Sequence, residues 1–163
     1  ANFTGRPFTG DYAGDLLYKM LIRHGFAEGE YQARPDDGLE LVNCRISNAV
    51  RCVPPENKPT TDEMKTCLPF LEQEFAAMPA LSTILCLGKI SHDTMMRFLG
   101  EKLSAHKFAH GAVHHVQGFQ ILDSYHCSRY NTQTGRLTEE MFEDIILKAK
   151  ELIANTPSKI QTA

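Results

Sequence analysis

Thirteen consecutive residues, Tyr125-His126-Cys127-Ser128-Arg129-Tyr130-Asn131-Thr132-Gln133-Thr134-Gly135-Arg136-Leu137, set a histidine ahead of hydroxyl, amide, arginine and glycine residues. They follow an apolar run, Val116 to Leu122, that reads as a strand, and they precede a periodic helix starting near Thr138. Ligand chemistry in open α/β sheets gathers at the C-terminal ends of strands, so this is a candidate active-site loop. Two other loops carry complementary groups. Thr4 to Asp11, bounded by Gly and Pro, offers the ring of Phe8; Ser47 to Pro59 begins with Asn48, the first polar side chain on the face that carries Val42, Cys44 and Ile46. An aromatic face, an amide with both donor and acceptor, and an imidazole can together hold a planar base by stacking, reading of its edge and stabilisation of charge on a ring oxygen.

The elements that position these loops are visible in the periodicity. Ala13 to His24 puts Leu16, Leu17, Met20 and Leu21 on one helical face, with Gly25 as the stop. Leu39 to Asn48 alternates apolar and polar residues as a strand does. Thr60 to Met78 predicts a helix opened by Pro59 and a Thr60/Glu63 capping box. Leu81 to Leu87 reads as a strand buried on both faces, Ile90 to Leu103 as a helix, and Thr138 to Ala154 as a helix with Glu139 and Glu140 in its first turn. The expected fold is α/β, a three-layer α/β/α arrangement around a mainly parallel sheet of about four strands.

Composition sets the outer limits. The 163 residues are 42% hydrophobic and 23% charged, which suits one domain, 1–163, with a flexible tail over 156–163. No apolar stretch has membrane-spanning length and no signal peptide is visible, so the expected location is intracellular, cytoplasmic at the nucleoid in a prokaryote, with no membrane partner. The net charge of −3 argues against a uniformly basic nucleic-acid binder; any such contact has to be local, at Arg6, Lys58, Arg129 and Arg136. His106, His110, His114 and His115 invite a zinc reading, but Gly111 interrupts the four-residue spacing and no acidic or thiol partner is close in sequence. A polar surface loop is expected there. A Ser-His-Asp hydrolase on Ser128 and His126 lacks a nucleophile elbow.

Gly5-Arg6-Pro7-Phe8-Thr9-Gly10 before a helix, Ser47-Asn48-Ala49-Val50-Arg51-Cys52 before Pro54-Pro55, and His126-Cys127-Ser128 to Thr138 together resemble the uracil-DNA glycosylase superfamily. The Thr-Gly-Arg-Leu-Thr ending is most similar to its iron–sulfur type B branch, family 5. The resemblance covers nearly the whole chain and implies a monomeric enzyme that flips uracil, or another deaminated base, out of DNA and hydrolyses its N-glycosidic bond. By the same resemblance Phe8 stacks on the base, Asn48 bonds its pairing edge and His126 stabilises the departing base. Asp11 is the nearest carboxylate for orienting water. Ser128, Arg129, Tyr130 and Asn131 fill the vacated stack, and Arg136 and Lys58 contact DNA.

Cys52 and Cys67 fall where the resemblance implies two of four ligands to a 4Fe-4S cluster, the other two lying upstream of Ala1. The first residue is Ala and not Met, and Ala1-Asn2 matches the continuation of the family's glycine-rich first motif, so an N-terminally truncated domain is expected. The family's usual His-Pro-Ser is His126-Cys127-Ser128 here, without the proline that would fix φ. Each residue also has an ordinary reading: Phe8 as a core ring, Asn48 as a turn or cap, His126 as a hydrogen-bonded structural histidine, Arg129 and Arg136 as solvated surface, Cys67 as a buried thiol. The alternative function is a non-catalytic DNA-binding or scaffolding relative that keeps the fold.

Overall fold

The computed structural model describes residues 6–48 and 61–156, with the side chains of 61–68 excluded. Its element order is α1 (Tyr12–Arg23), β1 (Ala27–Glu28), β2 (Glu40–Leu41), α2 (Thr61–Ala76), β3 (Thr83–Leu87), α3 (Lys89–Phe98), β4 (Val113–Val116), β5 (Phe119–Ser124), α4 (Arg129–Gln133) and α5 (Glu139–Ala154). The fold is α/β, as expected. Residue contacts form two compact units, one comprising Ala1–Ser47 and Tyr125–Lys148, the other Asn48–Ser124 and Ala149–Ala163.

In the first unit, α1 starts because the Asp11 side chain accepts from the Gly14 N–H at 3.0 Å. It ends at His24, where the Gly25 N–H reaches the Ile22 carbonyl and the Phe26 N–H the Leu21 carbonyl, a Schellman closure with Gly25 at φ +78°. Leu16, Leu17, Tyr18, Met20 and Leu21 are buried, as are Cys127, Leu137, Phe142, Ile145 and Ile146. On the wet side Lys19 meets Glu139 at 2.6 Å, and Arg23 and His24 meet Glu143 at 3.1 and 2.9 Å.

The expected strand Leu39 to Asn48 is paired over two residues alone, Glu40–Leu41 against Ala27–Glu28. Asn43, at φ +51°, breaks the extended path that a longer ladder requires. The exposure still alternates: Val42, Cys44, Ile46 and Asn48 are half-buried while Asn43, Arg45 and Ser47 are exposed. Between the two short strands the buried Asp37 receives a two-pronged ion pair from Arg6, at 2.9 and 3.1 Å, and the backbone N–H groups of Gln32 and Leu39. Arg6 is therefore engaged within the fold.

The second unit carries a three-stranded sheet in the order β3-β5-β4. β3 and β5 run parallel, with Cys86 beside Asp123; β4 and β5 run antiparallel, with Val113 beside Leu122. The sheet is thus mixed, and among the described residues it has three strands. The expected single strand from Val116 to Leu122 is a hairpin corner, because Gln117 (φ +49°) and Gly118 (φ +82°) both take the left-handed conformation of a two-residue turn. β3 is less enclosed than a doubly covered strand, with Cys86 its fully buried member. Cys86, Met95, Met96, Leu99, Val116 and Ile121 form the core, flanked by the Phe75, Phe98 and Phe119 rings at centroid separations of 4.8 and 5.5 Å. α3 is shorter than expected because Gly100, at φ +72°, closes it with another Schellman pair.

α2 runs through Pro69, which takes one bond from its ladder. Its expected Thr60 cap lies outside the described residues, as do Cys52, Lys58 and the tail beyond Thr156. Thr156 itself is held by Leu152 and Gln120.

The Arg6 guanidinium holds the Asp37 carboxyl well below the usual carboxylate range. A lowered folded-state value contributes stability above the ordinary Asp range, and that stability is lost as pH falls through about 4 and below. Arg6→Gln is expected to destabilise by about 1–3 kcal/mol at pH 7, because it leaves the part-buried Asp37 carboxylate without its charged donor. The gap to the parent should narrow at pH 3 in urea unfolding; an equal gap at both pH values refutes the assignment.

Candidate active site

The loop before α1 is folded tightly onto that helix. The Thr9 hydroxyl donates to the Arg6 carbonyl at 2.7 Å, and the buried Tyr18 hydroxyl donates to the Pro7 carbonyl at 2.7 Å. Phe8 sits at φ +61°, an unfavourable conformation for a bulky residue, costing about 1–3 kcal/mol. Its carbonyl packs so closely on α1 that a Cβ placed on Gly14 would stand 1.7 Å from it. Glycine at 14 is thus required by the approach, and the strained backbone is held from both ends.

The half-buried Phe8 ring faces His126, with centroids 5.7 Å apart and planes tilted by 30°. His126 lies two residues past the end of β5. Its carbonyl accepts from the Asn131 side-chain amide at 2.8 Å, while its Nδ1 is buried with no hydrogen-bond partner, alone in this among the described side-chain nitrogens and oxygens. An orphaned imidazole nitrogen costs free energy unless something else satisfies it. Burial lowers the His126 pKa, and the nearby charge of Asp11 opposes that shift more weakly. The ring is consequently neutral at pH 7, with one nitrogen a donor and the other an acceptor.

Cys127 takes the place of the proline expected after the histidine, and packing replaces the missing ring constraint. The side chain is fully buried and its thiol points to the Ala13 carbonyl at 3.5 Å. Ser128 caps α4, a helix that periodicity missed: its Oγ accepts from the Asn131 N–H at 3.4 Å. Ser128 as start and Gly135, at φ +70°, as stop were the available signals. The Leu137 N–H closes the segment on the Asn131 carbonyl at 3.0 Å. Arg129 and Tyr130 project outward, Tyr130 at 72% exposure, and the Arg136 guanidinium lies 4.6 Å from the Tyr125 ring centroid.

The structure therefore brings Phe8, Asp11, His126, Ser128 and Asn131 into one unit. Asp11 has a structural task as the cap of α1 and is close enough to act electrostatically on His126. Asn48 belongs to the other unit and is half-buried on the face where alternation put it.

The described thiols do not fit an iron–sulfur cluster, which takes thiolates. Cys44 donates to the Phe26 carbonyl at 3.2 Å, and burial pushes Cys86 and Cys127 up to about 12. Cys52 lies outside the described residues, and of Cys67 the helical backbone alone is described.

The histidine-rich segment departs from the polar surface loop expected of it. His114 and His115 are in β4, and His114 meets a carboxylate, Asp123, that sequence distance had concealed.

The family model described as "Uracil DNA glycosylase superfamily" matches residues 1–150. A type-5 uracil-DNA glycosylase of Thermus thermophilus is 42% identical over 153 residues, covering 93% of this chain and 69% of that protein. The type-5 enzyme of Pyrobaculum aerophilum is 36% identical over 91% of this chain and 64% of its own length. That of Mycobacterium leprae is 40% identical over 93% of this chain and 68% of its own. The chain thus spans about two thirds of the length of these curated relatives. A match across 1–150, with relatives at this identity, places the chain in the uracil-DNA glycosylase superfamily.

Proposed function

We infer that this chain is a uracil-DNA glycosylase, a hydrolase that removes uracil from DNA in base-excision repair and leaves an abasic site. The observation that carries the site assignment is the unpartnered, buried Nδ1 of His126 beside the Phe8 ring. In a member of this family, a base extruded from the helix supplies what the geometry lacks: a planar face for Phe8 and polar ring atoms for the imidazole.

The reaction breaks the bond between the sugar C1′ and the base nitrogen, and the bonding pair leaves with the base. A water oxygen then bonds to C1′ and gives up a proton, and the base anion takes up a proton, so that neutral free base and an abasic sugar result. His126, neutral at pH 7, donates a hydrogen bond to the oxygen where negative charge gathers on the departing base. Asn48 reads the base's pairing edge through its amide. Asp11 has one oxygen committed to Gly14, and its charge supports the positive character that develops on the sugar and orients the attacking water. The exposed Arg129 and Tyr130, with Ser128 and Asn131 behind them, occupy the space the base vacates, while Arg136 and Lys58 contact phosphates. The positioning residues are as important as the reacting ones, because a misplaced base loses the alignment that catalysis depends on.

Cys52 and Cys67 would supply two thiolates to a 4Fe-4S cluster, whose part would be structural and electrostatic. Four protein ligands are usual for such clusters. The protein acts on DNA as a monomer.

His126→Ala is expected to lower excision from uracil-containing duplex by about 100-fold or more, the scale of removing one preorganised donor, with unfolding unchanged. Parent-like scission after alkali in that variant sinks the assignment. Because a neutral ring is needed and burial depresses its pKa, excision should hold across neutral pH and fall on the acid side through a midpoint below about 6.5. A profile in which activity rises on acidification refutes a neutral donor. After anaerobic reconstitution with iron and sulfide, absorbance near ~400 nm is expected for the parent and reduced for Cys67→Ser; equal absorbance removes Cys67 from the ligand set.

A further inference from the structure

A second group of titratable side chains lies in the other unit, and uracil excision makes no use of it. Asp123, fully buried on β5, has Oδ1 2.8 Å from His92 Nδ1 on α3 and Oδ2 2.9 Å from His114 Nε2 on β4. The Ala109 N–H also donates to Oδ2, at 3.3 Å. The remaining nitrogen of His92, Nε2, is 2.8 Å from the His106 carbonyl. That carbonyl can only accept, so Nε2 carries a proton and Nδ1 is turned toward the carboxylate. The His92 and His114 rings meet edge-on at 5.1 Å, and the three facing donor atoms lie within 4.8 Å of one another.

We propose that His92 Nδ1, His114 Nε2 and Asp123 form a binding site for a divalent transition ion, zinc above all, that clamps α3 to the β4–β5 hairpin. Two features favour a metal over a plain hydrogen-bonded cluster. The first is the donor set. Two imidazoles and one carboxylate suit zinc and its neighbours, whereas magnesium and calcium prefer oxygen alone. The second is the outer partner: a metal-bound histidine usually fixes its other ring N–H on a carbonyl or carboxylate, and His92 does this on His106. The ion stands between the ring nitrogens and Asp123 and displaces any proton shared there. A tetrahedral ion with bonds of about 2.0–2.1 Å spaces its ligand atoms about 3.3 Å apart, so the imidazoles draw back slightly from the carboxylate while the more widely spaced donor atoms close in. Solvent reaches the site past His114, whose side chain is 12% exposed, and fills the fourth position.

The test titrates Zn²⁺ into the chelator-stripped chain and into His114→Gln, with His115→Gln as control. Glutamine at 114 can still donate to Asp123, so the hydrogen bond survives while the ligand is lost. The parent and the control should bind one more equivalent than His114→Gln, with at least about 100-fold weaker binding at this site in that variant. Zinc should raise the urea midpoint of the parent and leave that of His114→Gln unmoved. Comparison by difference removes ions taken up by Cys52 and Cys67, and Co²⁺ substitution should give a visible spectrum at this site without the thiolate charge-transfer band. If His114→Gln does not fold, His92→Gln serves in its place. No Zn²⁺ uptake by the parent at micromolar concentration, or equal uptake by parent and variant, overturns the proposal.

Discussion

The close approach of the Phe8 carbonyl to α1 at Gly14 is the constraint on which the placing of Phe8 and His126 in the first unit rests. It permits the tight loop in which Phe8 keeps an unfavourable φ, and the same loop delivers Asp11 to the helix start. α1 then presents the Ala13 carbonyl to Cys127, directly after the histidine. One helix end thereby fixes both faces of the candidate base site, Phe8 through the preceding loop and His126 through the residue that follows it. The bonds that hold this arrangement come from Tyr18, Thr9 and Asn131, each donating to a backbone carbonyl. Ordering of this kind is what a preorganised site requires, since its donors must be placed before charge develops.

Much of this was legible in the residues themselves. α1, α2 and α5 announced themselves by apolar spacing, α1 with Gly25 as its stop, and the conspicuous loops at Phe8 and His126 do meet. What escaped was set by distant or conformational facts. Gln117-Gly118 sits between apolar neighbours, so the run looks continuous until both residues take the left-handed turn conformation. Asn43 interrupts a strand whose pattern of exposure nevertheless persists, because alternation records which face is wet and not which backbone groups are paired. α4 is too short for periodicity to reveal, and its capping serine and closing glycine were the signals to use. The carboxylate beside His92 and His114 could not be found by spacing at all, since strand pairing makes that neighbourhood.

The two units solve the cost of burying polar groups in different ways. Around Asp123 the carboxylate oxygens meet two ring nitrogens and one backbone amide. At His126 one nitrogen is left without a partner. Such an omission is tolerable where a ligand completes the bonding.

Asp123 has a further consequence for the strand that bears it. Side chains along β5 alternate between faces, so sliding the strand by one position would set Leu122 or Ser124 opposite the two imidazoles. Neither supplies a charged acceptor, and the rings would be left against hydrocarbon or a single hydroxyl. The buried carboxylate thus acts as a key for strand register, which an apolar residue in its place could not do. That key also determines which residue is the last of β5.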